Sequence, residues 1–484
     1  MKLFFPLFFS VIILCLSSCK KNEKETAPSI GTISITGISN HAVISGTVTA
    51  QLTVSGGSNI KKYELYVNDS LLTTGTTPSY SFSWNTLKYV NGSYNLKGVA
   101  YDVSGNKTEA SISVTIKNIL ITLNIKPSIY IGYTTNYIAT DSLGNILQTV
   151  KYNGLDTVLE ISADRPYLAQ RFNIFEVRAG TNTYISGYLN IERNGSWNLK
   201  PIVPKLSSVY TTNQITFSNV PQFSRITASS DVFGQTFRNL TDLSSFTNYG
   251  FSPVGKEFVQ WVDNNNNGFN NFFNIDPSNK NVNLDLSAPA QPSIKTTVSL
   301  PPGSIYGNLT LYGRADINND LYYLVDQVYS PGASFDYFRP AGSYLKNYGS
   351  IISYQQNGWQ FADVIADLPP QTIPAFNVSA TVINSSLSAF SFRTQGDFDY
   401  YNLNFSNAAN KTYISLYSTP GYTSFKFPDI LKLGQAPNLT ANDFKLFSLG
   451  LYSTPGFKNN QLYYQTLLSF PPLPLPGLSA RYIF

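Results

Sequence analysis

Histidine occurs once in this chain, at His41, and cysteine twice, at Cys15 and Cys19. A catalytic triad, a three-histidine zinc site and an iron facial triad all need imidazoles in company, so those mechanisms are excluded. Both cysteines lie near the start, which leaves the rest of the chain without a disulfide or a thiolate metal site. Charge is also scarce: Asp, Glu, Lys and Arg make up 13% of 484 residues, and the net charge is only +5. Apart from one short run near the start, Lys and Arg are scattered, and nucleic-acid binding would want a basic stripe or cluster. No nucleic-acid partner is expected. What is abundant is aromatic and polar, with 33 Tyr and 32 Phe beside many Thr, Ser, Asn and Gly. That profile belongs to an all-β extracellular protein, and the length allows two to four domains.

The first residues set the location. Met1-Lys2 is a short basic start, Leu3 to Leu16 is apolar, and Leu16-Ser17-Ser18-Cys19 follows. A basic start, an apolar core and small residues before a cut site make a secretory signal. The run is shorter than the roughly 20 residues of a permanent membrane helix. Small residues ending on a cysteine resemble the lipobox of bacterial lipoproteins. The resemblance implies cleavage between Ser18 and Cys19 and lipid attachment at Cys19. Two or three acyl chains hold a protein to a membrane far more firmly than one, at about 0.8 kcal/mol per buried methylene. Residues 19–28 are polar and charged, as a flexible tether is. Their charges after the cysteine resemble the export signal of lipoproteins displayed on Gram-negative cells. The expected place is therefore the outer membrane, lipid-anchored and facing the exterior.

Residues 29–118 read as a small β-sandwich. Tyr80, Phe82 and Trp84 alternate along one strand, as do Tyr63, Leu65 and Val67 along another. Asn68-Asp69-Ser70 marks a turn, Asn91-Gly92 signals a hairpin, and Ala110, Ile112, Val114 and Ile116 form a last amphipathic strand. The run Tyr63–Asp69, the Trp84 strand, Asn91-Gly92-Ser93-Tyr94 and Ala100–Asn106 together resemble the bacterial immunoglobulin-like domain. The resemblance covers about a fifth of the chain. It implies a sandwich fold and no particular chemistry, since such domains serve as spacers, adhesive modules and enzyme accessories alike. Without the antibody-type cysteine pair, packing around Trp84 has to hold the sheets together. His41 falls in an early turn, where a lone histidine is solvated rather than catalytic.

Beyond residue 118 the pattern stays β. Asn136–Thr140 and Ile146–Tyr152 flank Asp141-Ser142-Leu143-Gly144-Asn145 as a hairpin. Ser186–Glu192 and Ser196–Leu199 read as a second hairpin around Arg193-Asn194-Gly195. A Pro and Ala mixture at Leu284–Pro292 suggests a boundary, giving β-rich domains over 119–295 and 296–484, one or two further sandwiches. Leu416–Gly421 recurs as Leu451–Gly456. One recurrence is too little for a solenoid and fits two equivalent strand edges in one sheet. The best helix candidate, Ala441–Leu451, is weak. The segment Ser479–Phe484 alternates as the last strand of a membrane barrel does, but too few ten-residue strands accompany it. A strand closing a sandwich is the simpler reading.

Three constellations could carry chemistry. Asp263–Gly268 and Asp316-Ile317-Asn318-Asn319-Asp320 place oxygen side chains at alternate positions, as a calcium loop does. Neither has the bidentate Glu that closes such a loop (Asn274 stands where the first would place it), so a solvated turn is favoured for both. Asp316, Asn318 and Asp320 are the calcium candidates, and no other cofactor is expected. Asp397 and Asp399 share a strand face, whereas glycoside hydrolysis needs carboxylates roughly 5 to 9 Å apart across a sugar. Trp197, Trp261 and Trp359 could stack on sugar rings. Trp261, beside the Asn-rich loop, is the ligand-binding candidate, against a core role for each Trp taken singly. The expected function is a surface-anchored binding or adhesion module with a polysaccharide or protein ligand. The alternatives are a glycan-active hydrolase with two carboxylates and a structural subunit of an outer-membrane assembly.

Overall fold

The computed structural model describes residues 30–56, 59–76, 79–125, 132–155, 157–199, 211–230, 234–238, 246–250, 255–276, 278–315, 322–434, 437–454 and 477–483. The signal peptide, Cys19 and the tether lie outside the described residues. Two compact units emerge. The first runs to Leu87 and takes in Asn91–Lys117; the second comprises Lys88–Val90 and Asn118 onward.

The first unit is a two-sheet sandwich. Thr32–Thr36, Thr47–Ser55 and Ser79–Asn85 form one sheet. Val43–Ile44, Lys107–Ile116, Gly92–Asp102, Ile60–Val67 and Ser70–Gly75 form the other, in that spatial order. The period-2 pattern sends Tyr63, Leu65 and Val67 inward to meet Leu52, Phe82 and Trp84 from the facing sheet. Trp84 is buried and meets Tyr94 edge to face at 6.4 Å. The sheets approach so closely at Gly98 that a Cβ there would lie 2.6 Å from Leu52 Cδ2. Asn68 and Asp69 take φ of +46° and +64°, the I′ turn that Asn and Asp tolerate. Asn91-Gly92 differs from its hairpin reading. The strands before and after it lie in different sheets, so this stretch is a crossing, and the chain first makes a 3₁₀ turn at Thr86–Lys88.

The second unit is built on a twelve-stranded sheet. One end holds Ile146–Tyr152, Thr134–Thr140, Arg171–Ala179 and Thr183–Glu192, joined through a parallel pairing to Thr412–Ser418. Then come Tyr400–Asn407, Lys445–Ser453, Gly477–Ile483, Trp359–Ile365, Asn347–Gln356, Tyr306–Arg314 and Tyr323–Ser330. Neighbouring residues point to opposite faces, and both faces carry core. Tyr137, Ile174 and Tyr188 pack under a three-stranded sheet of Thr157–Ser162, Ile119–Ile125 and Gly195–Leu199. Ile138, Phe175 and Leu189 face the other way, into the main core with Leu403, Leu416 and Leu451. A six-stranded sheet runs Gly234–Phe237, Arg225–Ser229, Gly255–Val262, Gly268–Ile275, Gln291–Ser299, Ser334–Pro340. It adds Phe258 and Tyr337 to that main core and packs Val259 and Trp261 with Ile215 and Leu284 on its far face.

Several sequence expectations are redrawn by this arrangement. No division falls at 295/296: that position lies inside Gln291–Ser299, which pairs with strands on both sides, and residues before and after it share the twelve-stranded sheet. Pro292 sits near the start of its strand, where a missing N–H is tolerated. Ser186–Glu192 and Ser196–Leu199 belong to different sheets, so Arg193–Gly195 is a sheet-to-sheet crossing. The helix candidate is a 3₁₀ turn at Ala441–Asp443, closed by a Thr440/Asp443 capping box, followed by the strand Lys445–Ser453. The two copies of Leu-Tyr-Ser, at 416–418 and 451–453, do flank one strand, with Tyr401 pairing Ser418 on one side and Leu451 on the other.

Candidate functional site

Of the tryptophans, Trp84 and Trp197 are core residues. Trp261 is 5% exposed and stacks on Phe269 at 5.9 Å and 26°. Its strand is buried on both faces, because a sheet covers each. The ring is therefore no ligand platform, despite the polar loop that follows it.

Trp359 is placed differently. Asn357 and Gly358 have φ of +52° and +82°, the backbone of a I′ turn, and join Asn347–Gln356 to the strand that Trp359 opens. In the sheet Leu449, Tyr482 and Trp359 form one cross-strand row. The Trp359 and Tyr482 rings meet at 5.5 Å and 61°, and Tyr482 is 36% exposed. Opposite them runs Ser379–Asn384, half of a hairpin with Ser391–Gln395. Between the two lies an open cleft of about 300 Å³, lined by Trp359, Ala380, Thr381, Val382, Leu449 and Tyr482. None of the six is acidic or basic. Among the described residues the Trp359 indole N–H and the Thr381 hydroxyl have no hydrogen-bond partner. Tyr482, Thr381 and Leu449 were not signalled by the sequence, which holds nothing to bring four distant segments together.

Asp263–Gly268 forms a turn closed on itself. Asp263 Oδ1 accepts the N–H groups of Asn265 and Asn267 at 2.9 and 2.8 Å, and Oδ2 accepts Asn267 Nδ2 at 3.0 Å. Asp141 with Asn145, and Asp102 with Asn106, repeat the arrangement. The fifth-position Asn thus uses the carboxylate that a cation would need. The Asn267 backbone N–H, then its side chain, holds the Asp263 carboxyl below the ordinary aspartate range. A depressed folded pKa means stabilisation above the unfolded value that is lost on acidification. Asp263→Ala is therefore expected to lower the thermal midpoint at pH 7, and the gap to the wild type should narrow below pH 3.8. Asp316, Asn318 and Asp320 lie outside the described residues. Among the described residues no group of three or more His, Cys, Asp or Glu could hold a metal ion.

Asp397 and Asp399 sit in different surroundings. Asp397 is exposed, while Asp399 Oδ2 accepts the Thr454 N–H at 2.6 Å and anchors the end of a strand. Among described carboxyls with a shifted pKa only Asp363 is raised, to about 6. Burial raises it.

Residues 32–97 match the bacterial Ig domain family. With the sandwich described above, this makes the N-terminal unit an Ig-like domain, followed by a larger multi-sheet β region. No curated protein matches the sequence. Similar solved structures include an endo-β-1,4-mannanase from Thermotoga petrophila, 16% identical over 20% of this chain and 21% of that one, with TM-score 0.17. The chain thus spans about a fifth of the mannanase. Fibronectin(III)-like modules of CbhA from Clostridium thermocellum are 25% identical over 18% of this chain and 99% of theirs, TM-score 0.17. SGBP-B of the Bacteroides ovatus mixed-linkage glucan locus, solved with a mixed-linkage heptasaccharide, is 10% identical over 64% and 93%, TM-score 0.16. At such TM-scores none of them carries an argument about what this chain does.

Proposed function

We propose that the chain is a surface-anchored outer-membrane lipoprotein acting as a binding or adhesion module for a polysaccharide or a partner protein. The observation that carries the binding role is the open aromatic cleft at Trp359 and Tyr482, set on paired strands. Rigid strands hold such a surface ready, so little side-chain freedom is lost when a ligand arrives. The lipobox-like Leu16-Ser17-Ser18-Cys19 supports the anchor, and the Ig-like unit follows the tether as a spacer would.

Two measurements test this. In a Gram-negative host, Cys19→Ser is expected to abolish labelled-palmitate uptake and move the protein out of the membrane fraction. Unchanged labelling and fractionation would remove the anchor. A panel of polysaccharides and extracellular-matrix proteins tests binding, and a blank across both would remove the binding role.

A further inference from the structure

We propose that the Trp359 cleft holds a neutral pyranose unit of a glycan, with the apolar face of the sugar laid on the indole ring. This rests on the binding reading above and names its ligand class and its contact residues.

Three features of the cleft select that chemistry. The first is the aromatic corner. Trp359 and Tyr482 meet at 61°, so a ligand lying against one ring is flanked by the other. A pyranose presents a face of C–H groups that packs on an aromatic surface as another apolar body would. The second is charge. Among the described residues no Asp, Glu, Lys, Arg or His lines the cleft, so an anionic sugar would give up hydration with no counter-charge from them to replace it. The third is the pair of unused polar groups. Among the described residues Trp359 Nε1–H is a donor without a partner, and the Thr381 hydroxyl is both donor and acceptor without one. An aliphatic side chain or an apolar helix face would cover them and leave them unsatisfied. The hydroxyls at the edge of a sugar ring can take both. The volume, about 300 Å³, is at the low end of the ~300–1,000 Å³ typical of small-molecule sites. It suits one or two sugar units of a longer chain.

The cleft is also held in place. Trp359 follows a two-residue I′ turn whose preceding Gln356 donates Nε2 to Pro302 O at 2.6 Å, and Leu449 beneath it is core. A preformed site costs less ordering on binding.

The full mature chain is run through native gels containing soluble neutral polysaccharides (mixed-linkage β-glucan, galactomannan, dextran) or the polyanions alginate and chondroitin sulfate. Retardation by at least one neutral polysaccharide is expected. Trp359→Ala should weaken it tenfold or more, Thr381→Ala several-fold, and Trp359→Phe should keep part of it. Because the other three tryptophans are buried, acrylamide quenching of the wild type reports mainly on Trp359. The same neutral polysaccharide should protect it, a readout independent of how any variant folds. Retardation that survives Trp359→Ala unchanged, with no protection from quenching, would overturn the inference and leave the binding role standing. So would retardation by polyanions alone, or binding to a protein and to no glycan. Silence toward every polysaccharide and every matrix protein would take the proposed function with it.

Discussion

Asp326→Ala lowers the stability of the second unit by about 3–5 kcal/mol, the range for stranding one member of a buried ion pair. Asp326 is 1% exposed and receives the Arg225 guanidinium through Nε and Nη2, both at 2.9 Å. It also accepts the Phe338 N–H at 2.8 Å. Arg225 belongs to the six-stranded sheet and Asp326 to Tyr323–Ser330, an edge strand of the twelve-stranded sheet. Around this pair, side chains take over the edge strand's backbone groups. Ser229 Oγ accepts the Leu324 N–H at 2.7 Å, and Gln260 Nε2 donates to Val325 O and Phe338 O, both at 3.0 Å. An open edge would template further strand pairing; here a neighbouring sheet closes it with polar side chains. Removing the carboxylate leaves a cation with little water and frees the Phe338 N–H. Denaturant midpoints should show the loss. Arg225→Met combined with Asp326→Leu should recover the part owed to the stranded cation, because an ion pair can be exchanged for apolar groups at little cost, while the Phe338 N–H stays without its acceptor. A loss under about 1 kcal/mol for Asp326→Ala would mean that the seam is wet and the pair is worth no more than a surface one.

That seam also shows what sequence patterning can and cannot carry. The Ig-like unit was readable because its strands bury one face: Tyr63, Leu65 and Val67 alternate with more exposed neighbours, and register follows from alternation. Strands buried on both faces lose that signature. Gly255–Val262 and Tyr400–Asn407 are continuous buried runs with polar members, among them Gln260 and Asn402, that hydrogen bonding accounts for. Trp261 stands in such a run, and its Asn-rich neighbour made it look exposed. Partnership is equally hidden. Thr183–Glu192 lies parallel to Thr412–Ser418, with Ser418 Oγ reaching Leu189 O across 229 residues, and no local feature announces it. The Trp359 cleft draws on four separate segments, which is why only its tryptophan, placed by the Asn357-Gly358 turn, could be suspected in advance.

At neutral pH, Asp363→Asn makes the protein more stable than the wild type, by up to about 3 kcal/mol. Asp363 is 8% exposed, in Trp359–Ile365, with Ile352 as its cross-strand neighbour. Burial raises its pKa from 3.8 to about 6. Each unit of difference is worth about 1.4 kcal/mol, so ionising the buried carboxyl costs roughly 3 kcal/mol. The sign follows from the direction of the shift. With the folded pKa above the unfolded one, the neutral acid's advantage is complete below about pH 3.8 and is lost as pH rises through about 6. The wild type should therefore lose stability between pH 4 and 7 on account of this group. Asparagine keeps the size and polarity but cannot ionise, so the variant should match the wild type at pH 4 and exceed it at pH 7.5. Thermal midpoints at the two pH values measure the difference directly. Equal midpoints at pH 7.5 would mean that water or a rearranged partner reaches the carboxylate and that its pKa in solution is ordinary. A variant less stable at both pH values would instead assign Asp363 a structural hydrogen bond as an acid donor, which asparagine cannot reproduce in the same geometry.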